Sequence, residues 1–242
     1  MNLANQEPIS LSFLRMSRRW CASWLGAACA LSLLVSASLH AEDWDFEQIL
    51  QRSERLYGSM GAGRARVIAW ANLMIANGSS SEEAKLRAVN DFFNRELRFR
   101  NDINVWLQDD YWATPVESLR QGAGDCEDYS IAKYFTLSQL GISTQKLRIT
   151  YVKALKFNQA HMVLTYYATP TAVPLVLDNL IGDIKPASQR NDLQPVYAFN
   201  GDGLWVPGAT GDKRVGDSKR LSRWQNVLEK MQAEGFPAER GY

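Results

Sequence analysis

Cys126 lies in Gly124-Asp125-Cys126-Glu127-Asp128-Tyr129, and His161 and Asp178 follow it along the chain. Thiol, imidazole and carboxylate are the groups of nucleophilic acyl transfer. The ring takes the thiol proton, and the carboxylate orients the ring and stabilises its cation. The apolar positions Ile131, Tyr134, Phe135, Leu137 and Leu140 predict a buried helix that Cys126 opens and Gly141 closes. A cysteine in that place meets unpaired N–H groups and the positive end of the helix dipole, and both favour its thiolate. Beyond the helix the period becomes that of strands, over 147–152, 162–167 and 175–177. His161 then starts one strand and Asp178 ends the next, so neighbouring strands can set ring and carboxylate side by side. Each residue also has an ordinary alternative: a small buried cysteine, a structural histidine, a turn-forming aspartate. Spacing alone does not separate these from a triad, because triads are defined by geometry.

The start of the chain narrows the choice. Arg15, Arg18 and Arg19 precede an apolar stretch of about residues 20–35, followed by small residues and Leu39-His40-Ala41. That is the layout of a secretory signal, with cleavage expected after Ala41 or, alternatively, after Ser38. Ser23, Ser32 and Ser36 break the apolar run, which is short for a stable membrane span. Removal of residues 1–41 takes away Cys21, Cys29 and His40, leaving Cys126 and His161 without another residue of their kind. A lone thiol makes no internal disulfide, and an idle one in an oxidising compartment is open to damage. Structural zinc sites, which need several Cys and His ligands, are excluded as well. Net charge passes from +1 to −1 with the signal, giving no nucleic-acid footprint. The mature chain is expected to be exported, without direct membrane insertion.

Asp125, Glu127 and Asp128 would raise the pKa of the neighbouring thiol and oppose its ionisation. A bound cation removes the conflict. Asp125 and Glu127 flank Cys126 and can point into the preceding loop, where Asp109 and Asp110 can add oxygen ligands. All-oxygen ligation in an exported protein favours Ca²⁺. Asp128 is expected to cap the first turn of the helix instead.

The elements that must hold these groups follow the hydrophobic pattern. Helical periodicity over 44–97 predicts three packing helices, the third starting at Ser80 with Glu83 completing a capping box. Residues 98–112 are rich in Asn, Asp and aromatics and read as a strand or loop bearing polar groups at a site; Pro115 starts a short helix. Shorter strands at 196–199 and 204–206 and an amphipathic helix over 221–233 complete the chain. Helices first and strands afterwards indicate an α+β domain, helices packed on an antiparallel sheet, spanning residues 42–242.

The run 124–129 with Ile131-Ala132-Lys133-Tyr134 behind it resembles the nucleophile motif of the bacterial transglutaminase-like cysteine proteinases. Upstream Tyr111-Trp112-Ala113-Thr114-Pro115 and downstream His161-Met162-Val163-Leu164 and Leu177-Asp178-Asn179 fall where that family places its other blocks. The likeness covers most of 44–235 and is closest to the periplasmic, adhesin-cleaving members. It implies a transglutaminase/papain-like fold, the triad Cys126, His161 and Asp178, and calcium dependence through Asp125 and Glu127. It further implies a substrate, the N-terminal region of a large surface adhesin cut in an alanine-rich segment to release cells from a biofilm. It also implies inhibition by an inner-membrane receptor that senses cyclic di-GMP. A transglutaminase-type acyl transferase, or a non-catalytic calcium-binding recognition module, remains open on the residues alone.

Overall fold

The computed structural model describes residues 44–208 and 212–237; the signal segment and its cleavage point lie outside them. Helix α1 (Phe46–Tyr57) begins where Asp45 accepts a hydrogen bond from the Gln48 amide at 3.0 Å. Helices α2 (Gly63–Asn77) and α3 (Glu82–Glu96) follow. The cap of α3 is Ser81, one residue later than expected, with its hydroxyl accepting from the Ala84 amide at 3.3 Å. Glu83 turns outward to pair with Arg87 at 2.9 Å instead of reaching back. Trp70 of α2 is fully buried against the rings of Trp44, Phe46 and Phe236. Its indole N–H donates to Thr136 Oγ1 at 2.8 Å, which satisfies the one polar atom that burial would otherwise leave unpaired.

The chain then makes strand β1 (Arg98–Phe99), a single turn α4 (Asp102–Val105) and helix α5 (Pro115–Gln121). Thr114 and Glu117 form a capping box at the start of α5, and Pro115 occupies its first turn, where a missing N–H costs nothing. Strand β2 (Ala123–Gly124) pairs in parallel with β1, Arg98 opposite Ala123 and Phe99 opposite Gly124. This small ladder lays the 98–102 segment beside the loop that leads to Cys126. Helix α6 (Cys126–Gln139) runs on from it, and Gly141, at φ +87°, lets the chain turn away in a conformation that disfavours a side chain.

Seven antiparallel strands follow: β3 (Leu147–Ala154), β4 (Gln159–Tyr166), β5 (Leu175–Leu177), β6 (Lys185–Pro186), β7 (Leu193–Phe199), β8 (Leu204–Val206) and β9 (Lys213–Gly216). Their order across the sheet is β6-β5-β4-β3-β7-β8-β9. Alternation sends Ile149, Met162, Leu164, Leu177 and Phe199 into one core with Ile131, Tyr134 and Phe135 of α6. Val152, Val163 and Val176 form a separate small cluster. Helix α7 (Ser222–Glu234) adds Trp224, Val227 and Met231 to the main core, Trp224 lying parallel to Phe135 at 5.3 Å between ring centres. The result is the α+β arrangement expected from the order of elements. Strands β6 and β9 were not expected: one is two residues long and contains a proline, the other is short and mostly exposed, so neither carries a hydrophobic period.

Candidate active site

Cys126 is the first residue of α6. The turn before it is fixed by Asp128, which is fully buried and accepts from the Ala113 amide at 2.8 Å and the Asp125 amide at 3.3 Å. Asp128 is thus spent on capping, as expected. Gly124 permits the approach: a Cβ there would lie 2.6 Å from Asp128 Oδ2. The Cys126 thiol donates to Glu127 Oε2 at 3.1 Å. Burial pushes the thiol pKa well up, the charges of Glu127 and Asp125 push the same way, and the Met162 amide opposes them. Met162 directly follows His161, so the sulfur reaches the strand that carries the imidazole, although its hydrogen bond goes to Glu127 and not to the ring.

His161 is buried in β4 opposite Val152 of β3. Its Nε2 lies 2.8 Å from Asp178 Oδ1, the first residue beyond β5. Antiparallel pairing of β4 with β5 therefore brings together the two residues that the strand pattern had set side by side. Asp178 Oδ1 also accepts from the Leu180 amide at 3.0 Å, and Oδ2 accepts from Arg190 Nη2 at 2.7 Å. Burial alone would raise this carboxyl, but the contacts with His161, Leu180 and Arg190 outweigh it and hold its pKa at about 2. Engagement of Nε2 by the carboxylate leaves Nδ1 as the nitrogen available to a thiol.

The main chain of Asp178 is held too. Its carbonyl accepts from Asn94 Nδ2 at 2.8 Å and from Lys133 Nζ at 3.2 Å, and Lys133 also donates to Asn90 Oδ1 at 2.9 Å. Lys133 is buried in α6, and burial pulls its pKa down to about 7 against the charges of Asp178 and Asp91. Sequence reasoning passed over this group. Its signal was present: beyond the first turn Lys133 is the one charged residue in α6. Arg190, Asn90 and Asn94 had no such signal.

Beside the thiol the acids converge. Asp102, Asp110 and Glu127 each offer an oxygen within 4.8 Å of the others, and so do Asp102, Asp125 and Asp128. Burial pushes Asp125 up to about 10, with Glu127, Asp128 and Asp102 adding to it. Asp102 is pushed up to about 6, by burial first and by the charges of Glu127 and Asp110, while the Tyr111 amide opposes. Oδ1 of Asp102 and Oδ1 of Asp125 are buried without a hydrogen-bond partner. Buried carboxylate oxygens of one sign, unpaired and converging, fit a hard divalent cation. Of the two loop acids expected to add ligands, only Asp110 stands in these groups among the described residues. Asp109 is exposed and joins neither group, whereas Asp102 is drawn in because its Oδ2 accepts from the Tyr111 amide at 2.5 Å. Asp110 reaches the group while pairing with Arg223 at 2.8 Å.

The aromatic residues upstream pack. Trp106 and Tyr111 lie 4.6 Å apart, and Trp112 stacks on Phe199. The Tyr111 hydroxyl donates to Glu117 at 2.5 Å, and Lys230 of α7 donates to Glu117 at 2.7 Å and to the Trp112 carbonyl at 2.7 Å. Glu234 accepts from Tyr57 at 2.8 Å and from Thr114 at 2.5 Å, and burial pushes its pKa up to about 8. These bonds tie the 111–114 segment to the C-terminal helix.

A cysteine opening a helix packed on an antiparallel sheet, with a buried His–Asp pair on adjoining strands, agrees with a match of residues 71–193 to the bacterial transglutaminase-like cysteine proteinase family. The chain belongs to that family and is a cysteine protease by membership. Among solved structures it is similar to LapG of Legionella pneumophila, with 42% sequence identity over 77% of this chain and 97% of that one, at a TM-score of 0.66. The calcium-bound form of LapG from the same organism matches with 42% identity over 77% and 98% of the two chains, TM-score 0.65. Its EGTA-treated form matches with 42% identity over 77% and 97%, TM-score 0.67. Comparison with curated proteins finds no match.

Proposed function

We propose that this chain is a periplasmic, calcium-dependent cysteine endopeptidase with Cys126 as nucleophile, His161 as general acid and base, and Asp178 as the orienting carboxylate. The observation that carries the reading is the buried His161–Asp178 contact of 2.8 Å on strands that adjoin the helix opened by Cys126. The thiolate adds to a scissile carbonyl and forms a thioester, and the leaving amine takes a proton from His161. Water then attacks the thioester with His161 as base, releasing the acid and restoring the thiol. The Cys126 amide, in the first turn of α6, has no helical partner and suits the oxyanion. Tyr111 and Ala113 amides are committed to Asp102 and Asp128, which narrows the second donor within that segment to the Trp112 amide.

Asp102, Asp125, Glu127 and Asp110 would hold the calcium ion. When bound, it would neutralise the acids that raise the thiol pKa and compete for the Glu127 oxygen that now takes the thiol hydrogen bond. Support comes from the unpaired carboxylate oxygens and from the calcium-bound form of LapG. The substrate in this reading is the alanine-rich N-terminal region of a large surface adhesin, cut to release cells from a biofilm. A cyclic-di-GMP-sensing inner-membrane receptor holds the enzyme in check.

The test is cleavage of an alanine-rich adhesin N-terminal fragment by the purified 42–242 protein, with calcium, with chelator, and with Cys126→Ala. Calcium-dependent cutting that the substitution abolishes is expected. Cutting that survives chelation would overturn the calcium role alone. Transfer of the acyl group to an added amine without hydrolysis would indicate a transferase, and calcium binding with no Cys126-dependent reaction a recognition module.

A further inference from the structure

The buried His161–Asp178 pair carries an electrostatic difficulty. In the proposed cycle the ring is a cation beside the thiolate and becomes neutral once it has given its proton to the leaving amine. Asp178 is 1% exposed, so at that point it would be a buried anion facing a neutral ring. Such a carboxylate tends to take up a proton or turn away from its partner.

Arg190 stands against that outcome. Its side chain is 2% exposed, and its Nη2 donates to Asp178 Oδ2 at 2.7 Å. A guanidinium keeps its charge throughout the working pH range. Its own position is fixed by Asp192, which accepts from Nε at 2.9 Å and from Nη2 at 2.8 Å. The two oxygens of Asp178 are thereby divided: Oδ1 serves His161 and the Leu180 amide, and Oδ2 serves Arg190. Among the described residues no other charged side chain takes that place. Lys133, approaching from α6, contacts the main-chain carbonyl of Asp178 and not its carboxylate.

We infer that Arg190 is a positioning residue for the proposed reaction, its guanidinium holding the Asp178 carboxylate ionised and aimed at His161 Nε2 while the ring alternates between charged and neutral. The inference rests on the triad reading above. It gives the 190–192 turn, far from the nucleophile in sequence, a part in the chemistry.

His161 is the single histidine of residues 42–242, so a ¹⁵N-histidine-labelled sample reports the two ring nitrogens of one imidazole. In the unsubstituted protein the Nε2 proton is expected downfield and sharp, as in a buried bond to a carboxylate. Arg190→Gln should move that proton upfield or broaden it away, and Arg190→Lys, which restores charge without the fork, should recover most of it. With the adhesin fragment, Arg190→Gln should lower kcat about 30-fold or more, the scale of a misplaced catalytic group, with KM changed less than about twofold. In an Asp178→Asn background the same change should alter kcat less than about twofold, because no carboxylate is left to hold. An unchanged His161 signal, or an equal loss of kcat in the Asp178→Asn background, would overturn the inference. Should Arg190→Gln fail to fold, Asp192→Asn removes half the fork, and an unmoved signal there would count against it in the same way. The resonance needs no substrate, so it decides the role of Arg190 even if the fragment is never cut.

Discussion

Asp102→Asn should have opposite effects on stability with and without calcium. Asn keeps an oxygen for the Tyr111 amide and removes one negative charge from the buried group. The pKa of Asp102 is pushed from 3.8 to about 6, so folding disfavours its ionised form. A raised carboxyl stabilises the fold fully below its unfolded value, and that contribution is lost as pH rises through the folded one. Above pH 6 the loss amounts to about 3 kcal/mol at most, at about 1.4 kcal/mol per factor of ten. Solvent reaches Asp110 and part of Glu127, and screening reduces this to about 1–2 kcal/mol. In chelator near neutral pH the variant should therefore melt about 2–8 °C higher than the unsubstituted protein. With saturating calcium the order should reverse, because loss of a buried carboxylate ligand that weakens the site about a hundredfold gives up about 2.7 kcal/mol of ligand stabilisation, more than the variant gains in chelator. Differential scanning calorimetry in chelator and in calcium reads both terms. A variant less stable in chelator, or one whose calcium-induced rise in Tm is intact, would remove Asp102 from the metal site and refute the charge argument.

Glu127→Gln replaces the charged acceptor of the thiol hydrogen bond by a neutral amide oxygen and removes one charge that raises the Cys126 pKa; in chelator, alkylation of Cys126 by iodoacetamide should be faster than in the unsubstituted protein, and calcium should no longer accelerate it. Glu234, raised from 4.5 to about 8, should make stability fall as pH climbs from about 4.5 to about 8 and level off above, and Glu234→Gln should flatten that slope in urea titrations across the range. Gly124→Ala puts a methyl group 2.6 Å from Asp128 Oδ2, so the cap must move; a loss of about 1–3 kcal/mol in denaturant unfolding is expected, together with slower alkylation of Cys126.

The helices and long strands were legible because each carries its own period. The helix opened by Cys126 and the strands bearing His161 and preceding Asp178 lie where apolar spacing put them. Contacts made by residues far apart were not legible. Asp102 and Asp109 stand in the same polar stretch, and nothing local tells them apart. The difference arises from the β1–β2 pairing, which brings the 98–102 segment to the nucleophile loop and leaves Asp109 in solvent. Arg190 was hidden for the same reason: it meets Asp178 through a turn beyond β6 that has no periodic signature. Lys133 was hidden differently. A lysine in an apolar helix is conspicuous, but its partner is a backbone carbonyl, and main-chain acceptors leave no mark on composition.

The open sheet ends in two very short strands, and the edges they present are poor templates for a further strand. Strand β6 is Lys185–Pro186, and proline has no N–H to offer an incoming chain; β9 carries the exposed charges of Lys213 and Arg214. An unblunted sheet edge presents free N–H and C=O groups to any extended chain, including another copy of the same protein. With both margins blunted, copies of the chain that meet have little edge through which to pair and seed fibres. Lengthening either margin with alternating apolar residues would turn a cutter of peptides into a nucleus for their aggregation.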